Sequence, residues 1–331
     1  MNFFRKLLFP FSLLYGGITA LRNFLYNIGW LESKSYDLPV IGVGNLSTGG
    51  TGKSPMIEFL VSLLKNNQRV AVLSRGYKRK TKGYREVLEN STVTDVGDEP
   101  LQFKQKFPEI TVAVCEDRQT GVENLKKTAD IILLDDAFQH RKVKPSLTIL
   151  LTSFDKLYSN DCMLPTGNLR EPKFGAKRAD IIVVTKCPEN IENSTIESIK
   201  RKLKPKPNQE IYFSKIGYST EIKNKAETKP LDYLSDKEFL LVTGIANPEP
   251  LVAFLKSKKM KFEQRSFPDH HNFTTSEIEQ LKRCKVILTT EKDFMRLQSI
   301  ANTVEIYYLP IRTEFLNGRE ANFKKRIENE V

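Results

Sequence analysis

Short apolar blocks alternate along the chain with stretches in which apolar residues recur at helical spacing. Blocks at residues 40–43, 69–73, 111–114, 131–134, 147–151, 180–184 and 211–214 are near-continuous in Val, Ile and Leu. Strands buried on both faces carry that pattern, and helical patterns between them predict parallel pairing with crossovers. The fold class expected is therefore α/β, a mainly parallel sheet with helices on both faces. A polar stretch over 221–229, EIKNKAETK, reads as a linker or an exposed ribbon. After it comes a second, shorter series: strands at 239–242, 261–266, 286–289 and 304–309. Helices at 248–256 and 276–283, and one starting at Lys292, separate them. This is a second, smaller α/β unit, and the polar connection between the units suggests a cleft that opens and closes. Residues 314–330 have helical character and are expected to pack back on the first unit.

The first thirty residues break this rhythm. Residues 7–21 carry no charge, yet the run is shorter than the ~20 residues that span a bilayer. Pro10, Gly16 and Gly17 also interrupt it. Arg22, Asn23, Tyr26, Asn27 and Trp30 follow among apolar residues, a pattern that predicts an interfacial amphipathic helix with its basic residues at lipid headgroups. A signal peptide is the rival, since Arg5 and Lys6 precede the apolar core and Ala20 stands near a possible cleavage point. A helix packed on the protein's own core is the plainer alternative. The boundaries expected are 1–31 for the interfacial membrane helix, 32–220 for the first domain, 221–235 for the linker or ribbon, 236–312 for the smaller domain and 313–331 for a C-terminal helix.

The first strand runs straight into GNLSTGGTGKSP, residues 44–55, and a helical pattern follows from Met56. Strand, glycine-rich loop, Lys-Ser and helix form the phosphate-binding loop of nucleotide-using enzymes. Thr48, Gly49, Gly50, Thr51 and Gly52 supply backbone N–H groups for phosphate oxygens, Lys53 reaches the β- and γ-phosphates, and Ser54 offers its hydroxyl to Mg²⁺. The usual leading Gly is Ser47 here. Downstream, the apolar block 131–134 ends in Asp135 and Asp136, where folds of this kind hold the metal ion, often through water.

Other segments carry chemical potential. Gly97-Asp98-Glu99-Pro100 is an acidic turn or helix start. Arg75, in Ser74-Arg75-Gly76-Tyr77, follows a strand where ligand loops sit. Gln139 and His140 follow the Asp pair, Arg170 and Glu171 sit after a flexible turn, and Thr185-Lys186 closes another strand. The segment at 267–273 gathers His270 and His271 beside Asp269, a possible acid/base unit or a plain loop. The net charge is +12, with 52 basic residues against 40 acidic. It favours an anionic partner, whether substrate, nucleic acid or acidic lipid. No RNA-recognition or zinc-finger signature accompanies it, so a nucleic-acid partner is not expected. Four scattered cysteines without metal spacing suit a reducing compartment. A GTPase would want Asn-Lys-x-Asp; Thr185-Lys186-Cys187-Pro188 lacks both the Asn and the Asp.

Taken in order, GNLSTGGTGKSP, SRGY, GDEP, LLDDAFQHR, LREP, VTK, TGIANP, FPDHHNF and TTEKD resemble the tetraacyldisaccharide 4′-kinase (lipid A 4′-kinase) family over nearly the whole chain. The resemblance implies a phosphate-loop kinase fold at the cytoplasmic face of the inner membrane, peripherally attached. Its implied cofactors are ATP and Mg²⁺. It also implies transfer of the γ-phosphate to the 4′-hydroxyl of an acylated glucosamine disaccharide 1-phosphate, with no obligate protein partner. By motif, Asp98 matches the catalytic base, His270 the histidine working with it, Asp135 and Asp136 the acidic metal pair, and Glu99 a further acidic position near the metal. Arg75, Gln139, Arg170 and Glu171 become candidate substrate contacts. Ser47 looks normal for the family. Ala137 and Lys78 stand where Gly is common, and Asn168 where Pro is common.

Overall fold

A computed structural model describes residues 3–268, 271, 273–297, 300 and 302–331. Helices α1 (Phe3–Leu7) and α2 (Phe9–Asn27) lead into strand β1 (Val40–Asn45), helix α3 (Lys53–Leu64) and strands β2 (Val70–Ser74) and β3 (Arg85–Glu86). Then come α4 (Val93–Val96), α5 (Asp98–Lys106), β4 (Thr111–Val114), α6 (Arg118–Leu125), β5 (Ile131–Asp135), β6 (Leu147–Ser153), β7 (Ile181–Thr185), α7 (Asn193–Leu203) and β8 (Glu210–Tyr218). The second series is β9 (Glu221–Lys223), β10 (Thr228–Pro230), β11 (Phe239–Thr243), α8 (Glu249–Ser257), β12 (Phe262–Ser266), α9 (Thr275–Leu281), β13 (Val286–Thr290), α10 (Glu291–Leu297) and β14 (Glu305–Leu309). Strand β15 (Ile311–Phe315) and helix α11 (Glu320–Glu328) end the chain.

The first sheet runs β15-β8-β7-β6-β1-β5-β2-β4-β3 and is parallel except at its two edges. Alternate residues of each central strand feed opposite cores, as the period of two requires. Ile41, Val43, Ile131, Leu133, Ile149 and Val183 pack under α3, α5 and α11. Val40, Ile132 and Leu134 pack against α6, while Leu150, Ile182 and Val184 pack against α7. The expected helices on both faces are present. So is the smaller α/β unit, a sheet in the order β10-β9-β14-β13-β11-β12. The polar stretch after Glu221 is a ribbon, β9 pairing antiparallel with β10 and with β14.

The C-terminus corrects the sequence reading. Residues 311–315, expected to straddle the smaller domain and a helix, form β15, which pairs antiparallel with β8 at the edge of the first sheet. The helix begins only at Glu320. Alternation in Ile311, Thr313 and Phe315 is too short to stand out against the helical pattern that follows. The chain thus returns to the first unit, where Phe323 stacks on Phe315 at 4.3 Å and meets Tyr212 edge-on at 5.1 Å. Phe323 is fully buried. Phe323→Ala should destabilise the protein by about 3–5 kcal/mol, measured from denaturant midpoints; an unchanged midpoint would mean that α11 is not part of this core.

Candidate functional site

Where β1 ends, the chain must turn sharply without losing its backbone hydrogen bonds. Gly49 and Gly52 take positive φ, 105° and 86°, which costs glycine nothing. The loop's carbonyls are taken from outside: Thr185 donates its hydroxyl to Thr51 O at 2.8 Å, and Lys186 Nζ reaches Gly50 O at 2.6 Å. In a trans peptide the N–H points opposite the C=O, so these contacts turn the N–H groups of Thr51 and Gly52 toward the open side. Gly52 caps α3, whose first residues are Lys53 and Ser54, so the helix adds its positive end to the same opening. The Thr185-Lys186 segment, the VTK motif of the sequence, is the brace of the phosphate loop.

Beside the loop, β5 ends in Asp135 and Asp136. Parallel pairing puts Val43 opposite Asp135, so both strand ends reach the same crevice, the usual ligand position in such sheets. Asp135 is 1% exposed. Ser74 donates to its Oδ2 at 3.0 Å, but Oδ1 is buried with no hydrogen-bond partner among the described residues. Burial, with Glu99 and Asp136 nearby, pushes this carboxyl up to about 7. Asp136 goes the other way. Burial would raise it, but two hydrogen bonds from Arg170, at 2.8 and 3.0 Å, and Lys53 Nζ at 3.6 Å hold it down at about 2.

The GDEP segment starts α5 at Asp98, after Gly97 at φ 91°, so Pro100 stands third in the helix rather than first. Ser54 donates to Glu99 Oε1 at 3.0 Å, and Lys292 of α10 stands 3.6 Å from the same oxygen. Asp98 is 6% exposed; its Oδ1 accepts the Glu99 N–H at 3.0 Å and its Oδ2 a hydrogen bond from Arg296 of α10. The structure therefore brings Lys53, Ser54, Asp98, Glu99, Asp135 and Asp136 together. His270 and Asp269 lie outside the described residues. His271 is held by Glu277 at 2.9 Å and stacks on Phe267.

This donor set fits a hard divalent cation. It offers hydroxyl and carboxylate oxygens, and among the described residues one buried carboxylate oxygen has no hydrogen-bond partner. Among the described residues no three His, Cys, Asp or Glu converge to cage a metal by themselves. Mg²⁺ does not need that, since it keeps waters and shares phosphate oxygens.

The four candidate substrate contacts separate. Arg75 is exposed at the end of β2 and lines a basic cavity of about 380 Å³ with Tyr77, Lys78 and Arg79. Arg170 is bound to Asp136 and to Asn45 O and Oδ1. Glu171, in contrast, is 3% exposed and fully engaged: Gln139 donates to Oε1 at 2.9 Å, and Asn23 and Arg178 donate to Oε2 at 2.9 and 2.7 Å. It is a clamp for α2, not a lining of the cleft. Gln139 also donates to Asn45 O at 2.9 Å, which ties it to the same clamp.

Helix α2 is amphipathic in the reverse sense to a surface helix. Its buried residues are Ser12 and Asn23. Ser12 bonds Thr166 at 2.7 Å, Tyr15 donates to Arg170 O at 3.0 Å, and Arg22 donates to Gln139 O at 3.0 Å. Phe11, Leu14, Ile18 and Leu21 form the outer face and are each about 60% exposed. Asn23 thus grips the protein at Glu171, while Arg22, though bonded to Gln139 O, stays exposed. Among the described residues no helix is long and apolar enough to cross a membrane.

Arg118 was not legible in the sequence. Only 1% exposed, it donates to Cys115 O at 2.5 Å and Asp135 O at 3.1 Å, fixing the end of β5. The departures from the family pattern also find a physical setting. Lys78 holds φ 60°, a left-handed conformation that favours glycine. Asn168 uses an N–H that Pro lacks, donating to Asp161 Oδ1 at 3.2 Å while its carbonyl accepts from Thr48 at 2.8 Å.

The description of the tetraacyldisaccharide-1-P 4′-kinase family matches residues 4–331. A tetraacyldisaccharide 4′-kinase of Flavobacterium johnsoniae is 49% identical over 97% of this chain and 95% of that protein. One of Bacteroides thetaiotaomicron is 43% identical over 97% of this chain and 92% of that protein. A solved structure of LpxK from Aquifex aeolicus, described as an apo form in complex with ATP, superposes with TM-score 0.81. It is 33% identical and covers 99% of both chains.

One titration is readable from this geometry. Burial, with Arg118 and Arg75 nearby, pulls the His140 imidazole from 6.5 down to about 4. Protonation then favours the unfolded chain, and stability falls as pH drops from about 6.5 toward 4. His140→Gln should lose less stability than the wild type over that window, read from denaturant midpoints at several pH values; parallel curves would contradict the burial of a neutral imidazole.

Proposed function

The chain belongs to the tetraacyldisaccharide-1-P 4′-kinase family, and we propose that the cleft between β1, β5 and α5 is where its phosphoryl transfer takes place. The enzyme is an ATP-dependent lipid kinase that phosphorylates the 4′-hydroxyl of tetraacyldisaccharide 1-phosphate in lipid A biosynthesis. The observation that carries the site assignment is the meeting of the phosphate loop, the Asp135–Asp136 strand end and the Asp98–Glu99 helix start at one opening.

The loop N–H groups from Gly49 to Ser54 and the start of α3 bind the phosphate oxygens, and Lys53 adds charge where negative charge develops. Thr48, one residue earlier, is tied through its N–H to Asn168 and sets the loop's entry. Ser54, Asp135, Asp136 and Glu99 would hold Mg²⁺, which would neutralise phosphate charge when bound. Asp98 accepts the proton of the 4′-hydroxyl. His270 is the proposed partner in that proton transfer. Arg75 and its basic neighbours offer charge to the substrate phosphate.

The lipid substrate stays in a membrane, and we propose that α2 brings the enzyme to the cytoplasmic face of the inner membrane as a peripheral protein. Its outward row of Phe11, Leu14, Ile18 and Leu21, with Trp30 80% exposed, suits the acyl boundary, and the +12 charge suits anionic lipid.

Incubation with ATP, Mg²⁺ and acylated disaccharide 1-phosphate in detergent should yield a bis-phosphorylated lipid. Lys53→Met and Asp135→Asn should each lower turnover by on the order of a hundredfold or more; near wild-type turnover in folded variants would remove the assigned site. For the membrane face, changing Leu14, Ile18 and Leu21 together to Gln should weaken binding to anionic vesicles by on the order of a hundredfold. Turnover on a detergent-dispersed acceptor should fall far less. Undiminished vesicle binding would mean that another surface makes the attachment.

A further inference from the structure

The TTEKD segment, prominent in the sequence and unused by the chemistry above, opens α10 in the smaller unit and faces α5 in the first. Its Glu291 meets Lys106 of α5 at 2.8 Å, and Lys106 also binds Glu58 of α3 at 2.7 Å. Lys292 stands 3.6 Å from Glu99. One turn further along α10, Arg296 reaches Asp98 with Nη2 and Asp293 with Nη1, the latter at 3.0 Å. Asp293 is fully buried and itself fixed, accepting the Gly244 N–H at 2.7 Å and the Thr290 hydroxyl at 2.7 Å. A continuous path of charged hydrogen bonds therefore runs from the end of β11 through Asp293 and Arg296 to Asp98. Both members of the final pair are 7% exposed in their side chains.

We propose that Arg296 is the positioning residue for Asp98, so that the smaller unit sets the orientation of the carboxylate that receives the hydroxyl proton. This rests on the reading of Asp98 as that proton acceptor. An Asp side chain at the first position of a helix has rotamers that point to solvent or to the helix start, and the Glu99 N–H holds one of its oxygens. The planar guanidinium fixes the second oxygen in direction as well as distance, because its donors form a rigid fork whose other arm is locked on Asp293. A lysine would supply charge without that geometry. Misplacement of a reacting group by about 1 Å costs on the order of a hundredfold in rate.

Turnover and KM are measured for Arg296→Met, Arg296→Lys, Asp98→Asn and the Arg296→Met/Asp98→Asn pair, with melting temperature as the check on folding. Arg296→Met should lower kcat by about ten- to a hundredfold and leave KM for ATP and for the lipid within about twofold. Arg296→Lys should recover part of the loss. In the Asp98→Asn background, Arg296→Met should cost little more, because the group it positions is already disabled. Should Arg296→Met fail to fold, Arg296→Lys decides: a several-fold loss of kcat at wild-type melting temperature supports the proposal, and full activity overturns it. Wild-type kcat in folded Arg296→Met beside a crippled Asp98→Asn overturns the positioning role alone, as does a loss confined to KM or fully multiplicative losses in the pair. Wild-type turnover in Asp98→Asn would overturn the role of Asp98 itself, and Arg296 with it.

Discussion

A carboxylate buried at the end of β5, with one oxygen that finds no hydrogen-bond partner among the described residues, sets the terms for everything around it. Burying an ionised carboxylate without full compensation costs several kcal/mol, against a total stability of roughly 5–15 kcal/mol for a folded protein. The fold can hold Asp135 there because Ser74 bonds its other oxygen and Arg118 fixes the backbone at the strand end. Asp136 next to it is matched by Arg170 and Lys53. The remaining deficit is positive charge at Asp135, where a divalent cation with its phosphates would enter. Strand order, loop brace and buried arginine all serve to keep that deficit open toward the cleft rather than relieved from within.

The reversed amphipathicity of α2 follows the same logic at the surface. Its polar face reaches Arg170 O, Thr166 and Glu171, and the Arg170 side chain in turn reaches Asp136 and Asn45. The helix that offers its apolar side outward is thus joined by hydrogen bonds to the loop flanking the phosphate site. Under the proposed attachment to a lipid surface, the same helix also orients the cleft.

Much of this was legible in the residue pattern, and the misses share a cause. The strands were visible because a two-faced parallel sheet leaves near-continuous apolar runs, and the phosphate loop because its glycines are obligatory. The pair Asp135–Asp136 was visible because it ends such a run. Arg118, Arg296 and the Asn23–Glu171 clamp were not, since a lone Arg or Asn on a helix carries no periodic signal and its partner lies far off in sequence. The inward-facing polar side of α2 was missed for a related reason: periodicity tells which face is polar, not whether that face meets water, lipid or protein. Strand β15 was hidden by its brevity beside a stronger helical pattern.

The central claim is that the cleft is charge-incomplete until a metal–nucleotide complex fills it. The most direct test is the melting temperature of the wild type and of Asp135→Asn, each with a non-hydrolysable ATP analogue in the presence and absence of Mg²⁺. Binding to the folded state raises the melting temperature by mass action. The account predicts a clear rise for the wild type that is much larger with Mg²⁺ than without, and a loss of that Mg²⁺-dependent increment in Asp135→Asn. An equal Mg²⁺-dependent rise in both proteins would contradict it.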